Sequence, residues 1–256
     1  MDSQTCAVRV SVRVGTWNVQ YGKGEARNAR RREVLRAYDA DVWVLTETND
    51  DLDLSDDYEP VHSTHRYLPQ ARGRWVTVWS RLPMLARHDT EDPSRTVAVT
   101  VMSDDGPMCV FGSVLPWQHD VGPDPADPAP GWAEFYRVTP LQGAEWRRLR
   151  ALEPASILAV TGDLNQNLGG PHYYGTTRGR TILRDTLASA GLDCLTQTGN
   201  IPEGELDFPP IDHVCAAAPA GHRLESTVHG WRKADRDGMV LSDHSGVVAE
   251  IRLLAR

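Results

Sequence analysis

Asn18, Glu47, the Asp163-Leu164-Asn165 triplet and Ser242-Asp243-His244 each follow an apolar run of strand character. Asp212, in Ile211-Asp212-His213, stands at the start of another such run. A polar residue at a strand end sits on the rim of the core, where side chains from distant parts of the chain can converge. Carboxylates, amides and one imidazole gathered at such a rim suit a hard divalent cation, which prefers oxygen ligands and keeps several waters. They equally suit a phosphate ester. Glu47 can ligate the ion, and Asn18 can ligate it or hold a neighbouring carboxylate in place. The alternation of an extended chain puts Asp163 and Asn165 on one side. There the Asp can orient or deprotonate an attacking water and the Asn can donate to a phosphoryl oxygen. An imidazolium at His244 would stabilise growing negative charge. Asp212 could hydrogen-bond the His244 ring and raise its pKa.

The elements that must position these groups follow from the apolar pattern. Val8, Val10, Val12 and Val14 alternate with polar partners and predict a strand over 8–16. Glu25 to Tyr38 reads as a helix, with Val34, Leu35 and Tyr38 on one face and Arg27, Arg30 and Arg31 on a solvated one. Asp41 to Thr46 reads as a buried strand, and this β-α-β order implies a parallel or mixed sheet. A hairpin-like region follows, with strands over 74–80 and 95–102, and then a strand over 108–115. The proline- and glycine-rich 122–131 is a loop. Trp132 to Leu152 predicts a helix interrupted at Pro140, with Leu141, Trp146, Leu149 and Leu152 as core contacts. A strand over 157–161, a helix over 180–190 capped by Gly191, and strands over 211–216, 224–229 and 246–254 complete the chain. Two halves, each with strand-helix-strand and a polar corner, point to paired sheets.

The bulk composition sets limits. The chain has 256 residues, 40% of them hydrophobic, which suits one domain over 1–256 with a full core. No stretch approaches the ~20 apolar residues of a membrane span. Residues 1–9 carry no secretory pattern. Cys6, Cys109, Cys194 and Cys215 match no zinc spacing and read as reduced thiols of a cytoplasmic protein. The net charge of −8 argues against gripping nucleic acid over the whole surface. It leaves room for a metal-site nuclease with a local basic rim. Lysine occurs only at Lys23 and Lys233, so the basic charge is almost all arginine, whose fork matches phosphate oxygens.

Together the pieces T-W-N with Asn18, L-T-E with Glu47, G-D-L-N with Asp163 and Asn165, I-D-H with Asp212 and S-D-H with Asp243 and His244 resemble the endonuclease/exonuclease/phosphatase superfamily. Val78-Trp79-Ser80-Arg81-Leu82-Pro83 is similar to that family's S-R-x-P strand end. The resemblance runs from Val10 to Ile251. It implies a four-layer α/β sandwich, two mixed β-sheets packed face to face with helices on the outside. It implies Asn18, Glu47 and Asp243 at a Mg²⁺ or Mn²⁺ ion, Asp163 at the water, Asn165 at the phosphate, and His244 oriented by Asp212. The reaction would be metal-assisted in-line attack of water on a phosphate ester. One departure stands out: Val114 occupies the strand end where the family carries His or Tyr, so His119 or Trp117 would have to reach in from the next loop.

His172, Tyr173, Tyr174, Arg178 and Arg180 follow the G-D-L-N corner and could stack bases and grip phosphates. Three readings stay open. One is a phosphodiesterase acting on nucleic acid. Another is a phosphatase or phosphodiesterase for a small molecule or lipid headgroup. The last is a catalytically weak phosphate- or nucleic-acid-binding protein on the same scaffold. Oligomeric state is not readable from the chain.

Overall fold

The computed structural model describes residues 11–64, 72–124 and 126–255. In chain order the strands and helices are β1 (Val12–Asn18), α1 (Glu25–Tyr38), β2 (Val42–Asn49), β3 (Glu59–His62), β4 (Gly73–Ser80) and β5 (Met84–His88). Then come β6 (Thr96–Ser103), β7 (Gly106–Val114), α2 (Ala133–Leu152), β8 (Ile157–Asp163), α3 (Thr177–Ser189) and β9 (Asp193–Cys194). The chain closes with β10 (Asp212–Ala217), β11 (His222–Trp231) and β12 (Gly246–Ala255).

Two six-stranded sheets form, ordered β11-β12-β1-β2-β4-β3 and β5-β6-β7-β8-β10-β9. Each contains one parallel pair, β1/β2 and β7/β8, joined through α1 and α2; the other pairs are antiparallel. The inner faces meet in a valine-rich core: Val12, Val14, Val44 and Val78 from one sheet pack with Val99, Val110, Ile157 and Val214 from the other. On the outer face of the first sheet, Trp17, Trp43 and Leu45 pack with Leu35 of α1. Phe111, Leu158 and Val160 do the same for the second sheet, against Phe135, Trp146 and Leu149 of α2 and Leu183 and Leu187 of α3. The result is the four-layer α/β sandwich that the resemblance implies. Among the described residues no helix is long and apolar enough to cross a membrane. Cys109, Cys194 and Cys215 are free thiols; Cys6, Val8 and Val10 lie outside the described residues.

Several local expectations are corrected. β4 and β6 do not form a hairpin, because the chain crosses between sheets after Ser80 and β5 intervenes. α2 runs unbroken through Pro140. Its buried stripe is Phe135, Thr139, Gln142, Trp146 and Leu149, a strict helical spacing that leaves Leu141 and Leu152 exposed. Arg31 is not solvated: its guanidinium is fully buried and donates to the carbonyls of Leu241 (2.9 Å from Nε) and Lys23 (3.2 Å). α3 starts at Thr177, earlier than expected, because the Thr176 hydroxyl accepts from Gly179 N at 2.9 Å and caps it.

Candidate active site

Strand direction explains why distant residues meet. β1, β2, β7 and β8 run the same way within their parallel pairs, and each of these strands ends at one rim. β12 is antiparallel to β1 and β10 to β8, so their first residues lie at that same rim. Asn18 ends β1, Asp163 ends β8, Asp212 opens β10 directly opposite Asp163, and Asp243-His244 precede β12.

Backbone conformation then aims the side chains. Gly162 has φ +140, and a Cβ there would lie 2.0 Å from the Ser113 carbonyl oxygen. Only glycine lets β8 approach β7 this closely just before Asp163. Glu47 (φ 49) and Asn165 (φ 52) are left-handed, which costs a non-glycine residue about 1–3 kcal/mol. Glu47 interrupts the β2/β4 ladder between Thr46↔Val76 and Thr48↔Arg74 and so turns to the rim. Gln20 (φ 48) and Tyr21 (φ 66) are left-handed beside them.

Hydrogen bonds tie the cluster together. Asn18 Oδ1 accepts from Gln20 N at 2.9 Å, which fixes the direction of the amide. Its Nδ2 therefore faces two carboxylates and donates to Glu47 Oε1 (3.1 Å) and Asp163 Oδ2 (3.2 Å). Asp212 accepts from Asn18 N at 3.1 Å through one oxygen and contacts His244 Nδ1 at 2.6 Å through the other. The 242–244 turn is anchored by Ser242 Oγ donating to Asn18 O (2.6 Å) and by Trp17 Nε1 donating to His244 O (2.9 Å). Asn165 N donates to Asp163 Oδ1 at 3.0 Å, and its amide nitrogen donates to Leu115 O at 2.9 Å.

Burial and like charge dominate the electrostatics. Burial, then the neighbouring Asp212 charge, raises the Asp163 carboxyl to about 7, against the opposing pull of His244. Burial raises Glu47 as well, although the Asn18 hydrogen bond and His244 favour its charge. Burial alone would lower His244, but the Asp212 charge and hydrogen bond outweigh it and raise the imidazole to about 10. The ring is thus an imidazolium at neutral pH.

Glu47, Asp163, Asn165, Asp212, Asp243 and His244 line one cleft of about 410 Å³. Four carboxylates face a single imidazolium there, and among the described residues no lysine or arginine lines the cleft. Carboxylate oxygens of Asp163 and Asp212 and a ring nitrogen of His244 lie within 4.8 Å of one another; the imidazolium has no lone pair to offer, so the carboxylates are the ligand atoms, and Glu47 accepts from Asn18 Nδ2 beside them. That excess of oxygen donors and negative charge fits a hard divalent cation.

The remaining expected residues divide. Trp117 and Tyr173 line the cleft. His119 and His172 are exposed and outside its lining. Arg178 of α3 lies 4.3 Å over the ring of Tyr136 of α2 and so joins two helices, and Arg180 donates to the carbonyls of Gly169 (3.3 Å) and Gly170 (3.2 Å) and braces the loop. Val114 lines the cleft as the buried end of β7. Tyr21, Trp75 and Phe208 also line it and were not anticipated. For Phe208 a signal existed: Phe208-Pro209-Pro210 directly precedes I-D-H, and paired prolines present a side chain rigidly.

A sequence profile of the Endonuclease/Exonuclease/phosphatase family matches residues 15–244. The chain belongs to this family. Phosphoester hydrolysis is therefore its reaction class. No curated protein sequence matches. The human Nocturnin catalytic domain with bound sulfate anion is similar at TM-score 0.67 and 15% identity, over 95% of this chain and 94% of that one. A 3′-5′ exonuclease from Neisseria meningitidis gives 0.64 and 19%, over 94% and 100%. Truncated Caenorhabditis elegans TDP2 gives 0.62 and 14%, over 94% and 97%. At these identities the likeness establishes a DNase I-like fold.

Proposed function

We propose that this protein is a divalent-metal-dependent phosphodiesterase that cleaves nucleic acid by in-line attack of water. The observation that carries the reading is the continuous chain Glu47–Asn18–Asp163, set beside the Asp212–His244 pair in one cleft. Mg²⁺ or Mn²⁺ held by Glu47 and Asp243 would polarise a phosphoryl oxygen and offset its charge. Asn18, its Oδ1 accepting from Gln20 N, holds Glu47 and Asp163 in register through Nδ2. Asp163 takes the proton of the attacking water. Asn165 steadies the phosphate through its remaining amide hydrogen. His244, kept protonated and oriented by Asp212, donates from Nε2 to the phosphoryl group as charge grows. Val114 supplies no proton to the leaving oxygen, so that help falls to His244 and the ion. His119, exposed outside the lining, takes no part in this scheme. The Neisseria neighbour, a 3′-5′ exonuclease, agrees with the choice of nucleic acid.

A second reading, hydrolysis of a small-molecule or headgroup phosphate, is favoured by the −8 charge and by a cleft lining without lysine or arginine among the described residues. The two separate in one assay. Purified protein is incubated with plasmid, single-stranded oligonucleotide, RNA and a panel of phosphomonoesters, with Mg²⁺, Mn²⁺ or EDTA. Strand cleavage abolished by EDTA supports the first reading. Phosphate release from monoesters alone supports the second. Binding without any turnover would sink both and leave a weak binding protein.

A further inference from the structure

The walls of the cleft bear on the form of the substrate, an inference that rests on the nuclease reading above. Six aromatic side chains line those walls: Tyr21, Trp75, Trp117, Tyr173, Tyr174 and Phe208. Trp75 and Trp117 pack with centroids 5.4 Å apart. The Arg95 guanidinium lies 5.6 Å from each centroid, is buried, and is ion-paired to buried Asp120. Its charge is committed inside the protein, where it holds the two indoles. Tyr173 and Phe208 form a second platform, parallel within 5° at 4.9 Å, and remain 48% and 47% exposed. Trp117 follows β7 and Phe208 precedes β10, while the Asp163-Asn165 corner ends β8. The sheet order β7-β8-β10 therefore sets the two platforms on either side of the catalytic corner.

Gripping a duplex backbone requires lysine or arginine at the phosphates and makes binding steeply salt-dependent. Among the described residues neither lines the cleft, and the two lysines of the chain, Lys23 and Lys233, stand 5.9 Å from the Tyr21 ring and 5.1 Å from the Phe208 ring, so stacking on the aromatic walls, a sequence-tolerant mode, supplies a large share of the affinity. Bases in a duplex are already stacked and paired, and they reach such walls only after being extruded. We propose that the cleft takes an unpaired dinucleotide step. The scissile phosphate lies over Asp163 and His244, with one flanking base on Tyr173–Phe208 and the other on Trp75–Trp117. Double-stranded nucleic acid is a poor substrate.

The test uses a short single strand cleaved at a mapped bond, the same strand annealed to its complement, and the same strand with an abasic residue on either side of that bond. The duplex is expected to show kcat/KM at least ~10-fold lower, since unpairing must come first. Tyr173→Ala lowers kcat/KM on the intact strand by ~10-fold, chiefly through KM, the size of one lost base stack. On the strand already lacking the base on that side, the substitution adds little. The variant should fold, because Tyr173 uses its backbone N–H to meet Asn167 Oδ1 at 2.9 Å. Raising salt from about 50 to 200 mM should change KM by less than ~10-fold. Equal rates on duplex and single strand, or a Tyr173→Ala loss that ignores both abasic positions, overturns this proposal and leaves the nuclease reading standing. Cleavage of no strand, with metal present, overturns both.

Discussion

Asn18 shows how little of a residue's work its type announces. In the chain it is an amide at a strand end, fit to ligate a metal or to hold a carboxylate. The folded protein turns its nitrogen toward both Glu47 and Asp163 and uses its main-chain N–H for Asp212. Its loss would let three acids drift. In the proposed reaction Asp163 and His244 carry the chemistry, so Asp163→Asn and His244→Ala should each lower kcat by ~10²-fold or more. Circular dichroism should show the fold intact, and an Asp163→Asn enzyme of full activity would contradict the water-activating role. Glu47→Gln removes a ligand charge and should raise the Mg²⁺ concentration for half-maximal rate as well as lower that rate; a metal titration reads both. These acids and the imidazole were legible because each stands at one end of an apolar run. Arg178 and Arg180 were misleading: a guanidinium near a corner in sequence can equally well serve packing, as Arg178 does on Tyr136 of α2 and Arg180 on the Gly169 carbonyl. Phe208 and Trp75 escaped notice because an aromatic residue reads first as core.

At the level of elements, two features hold the rim. Gly162 permits contact between β7 and β8 that any side chain would break. Gly162→Ala must push the Ser113 carbonyl aside and should cost on the order of 3 kcal/mol or more, with thermal unfolding as the readout. Unchanged stability would mean that the backbone has another conformation there. Arg31 fastens α1 to the Leu241 carbonyl, one residue before the Ser242-Asp243-His244 turn. Arg31→Met leaves that carbonyl unmet and should cost about 2–3 kcal/mol. It should also lower kcat about 10-fold or more by loosening the turn, although Arg31 does not line the cleft. The apolar pattern located the central strands closely and gave α1 to the residue. It missed β3, β5 and β9, which are all edge strands. An edge strand has a neighbour on one side only and alternates weakly; β5 shows no fully buried position. In α2 the presence of leucine misled, since Leu141 sits one step out of phase with the buried Gln142. Pro140 removes one hydrogen-bond donor but does not stop a helix held by Phe135, Trp146 and Leu149.

On the scale of the whole molecule, sheet order gathers the site. Parallel pairs and their antiparallel neighbours bring residues from Asn18 to His244 to one rim, so the fold and the cleft have a common cause. The sandwich was readable because the polar corners came in a recognisable order. The substrate walls were readable only in part: Trp117, Tyr173 and Tyr174 follow polar corners in the chain, whereas Tyr21, Trp75 and Phe208 join them only through the fold. The net charge of −8 and a cleft lining that, among the described residues, holds no lysine or arginine share a consequence for the proposed reaction: the phosphate's charge would be met locally, by His244 and a bound cation. Hydrolysis of a single-stranded oligonucleotide, followed on a denaturing gel with Mg²⁺, with EDTA, and with Mg²⁺ restored in excess, tests this most directly. The account predicts cleavage with Mg²⁺, none in EDTA, and recovery on re-addition. Cleavage at full rate in EDTA, or an intact strand at every Mg²⁺ concentration, would contradict it.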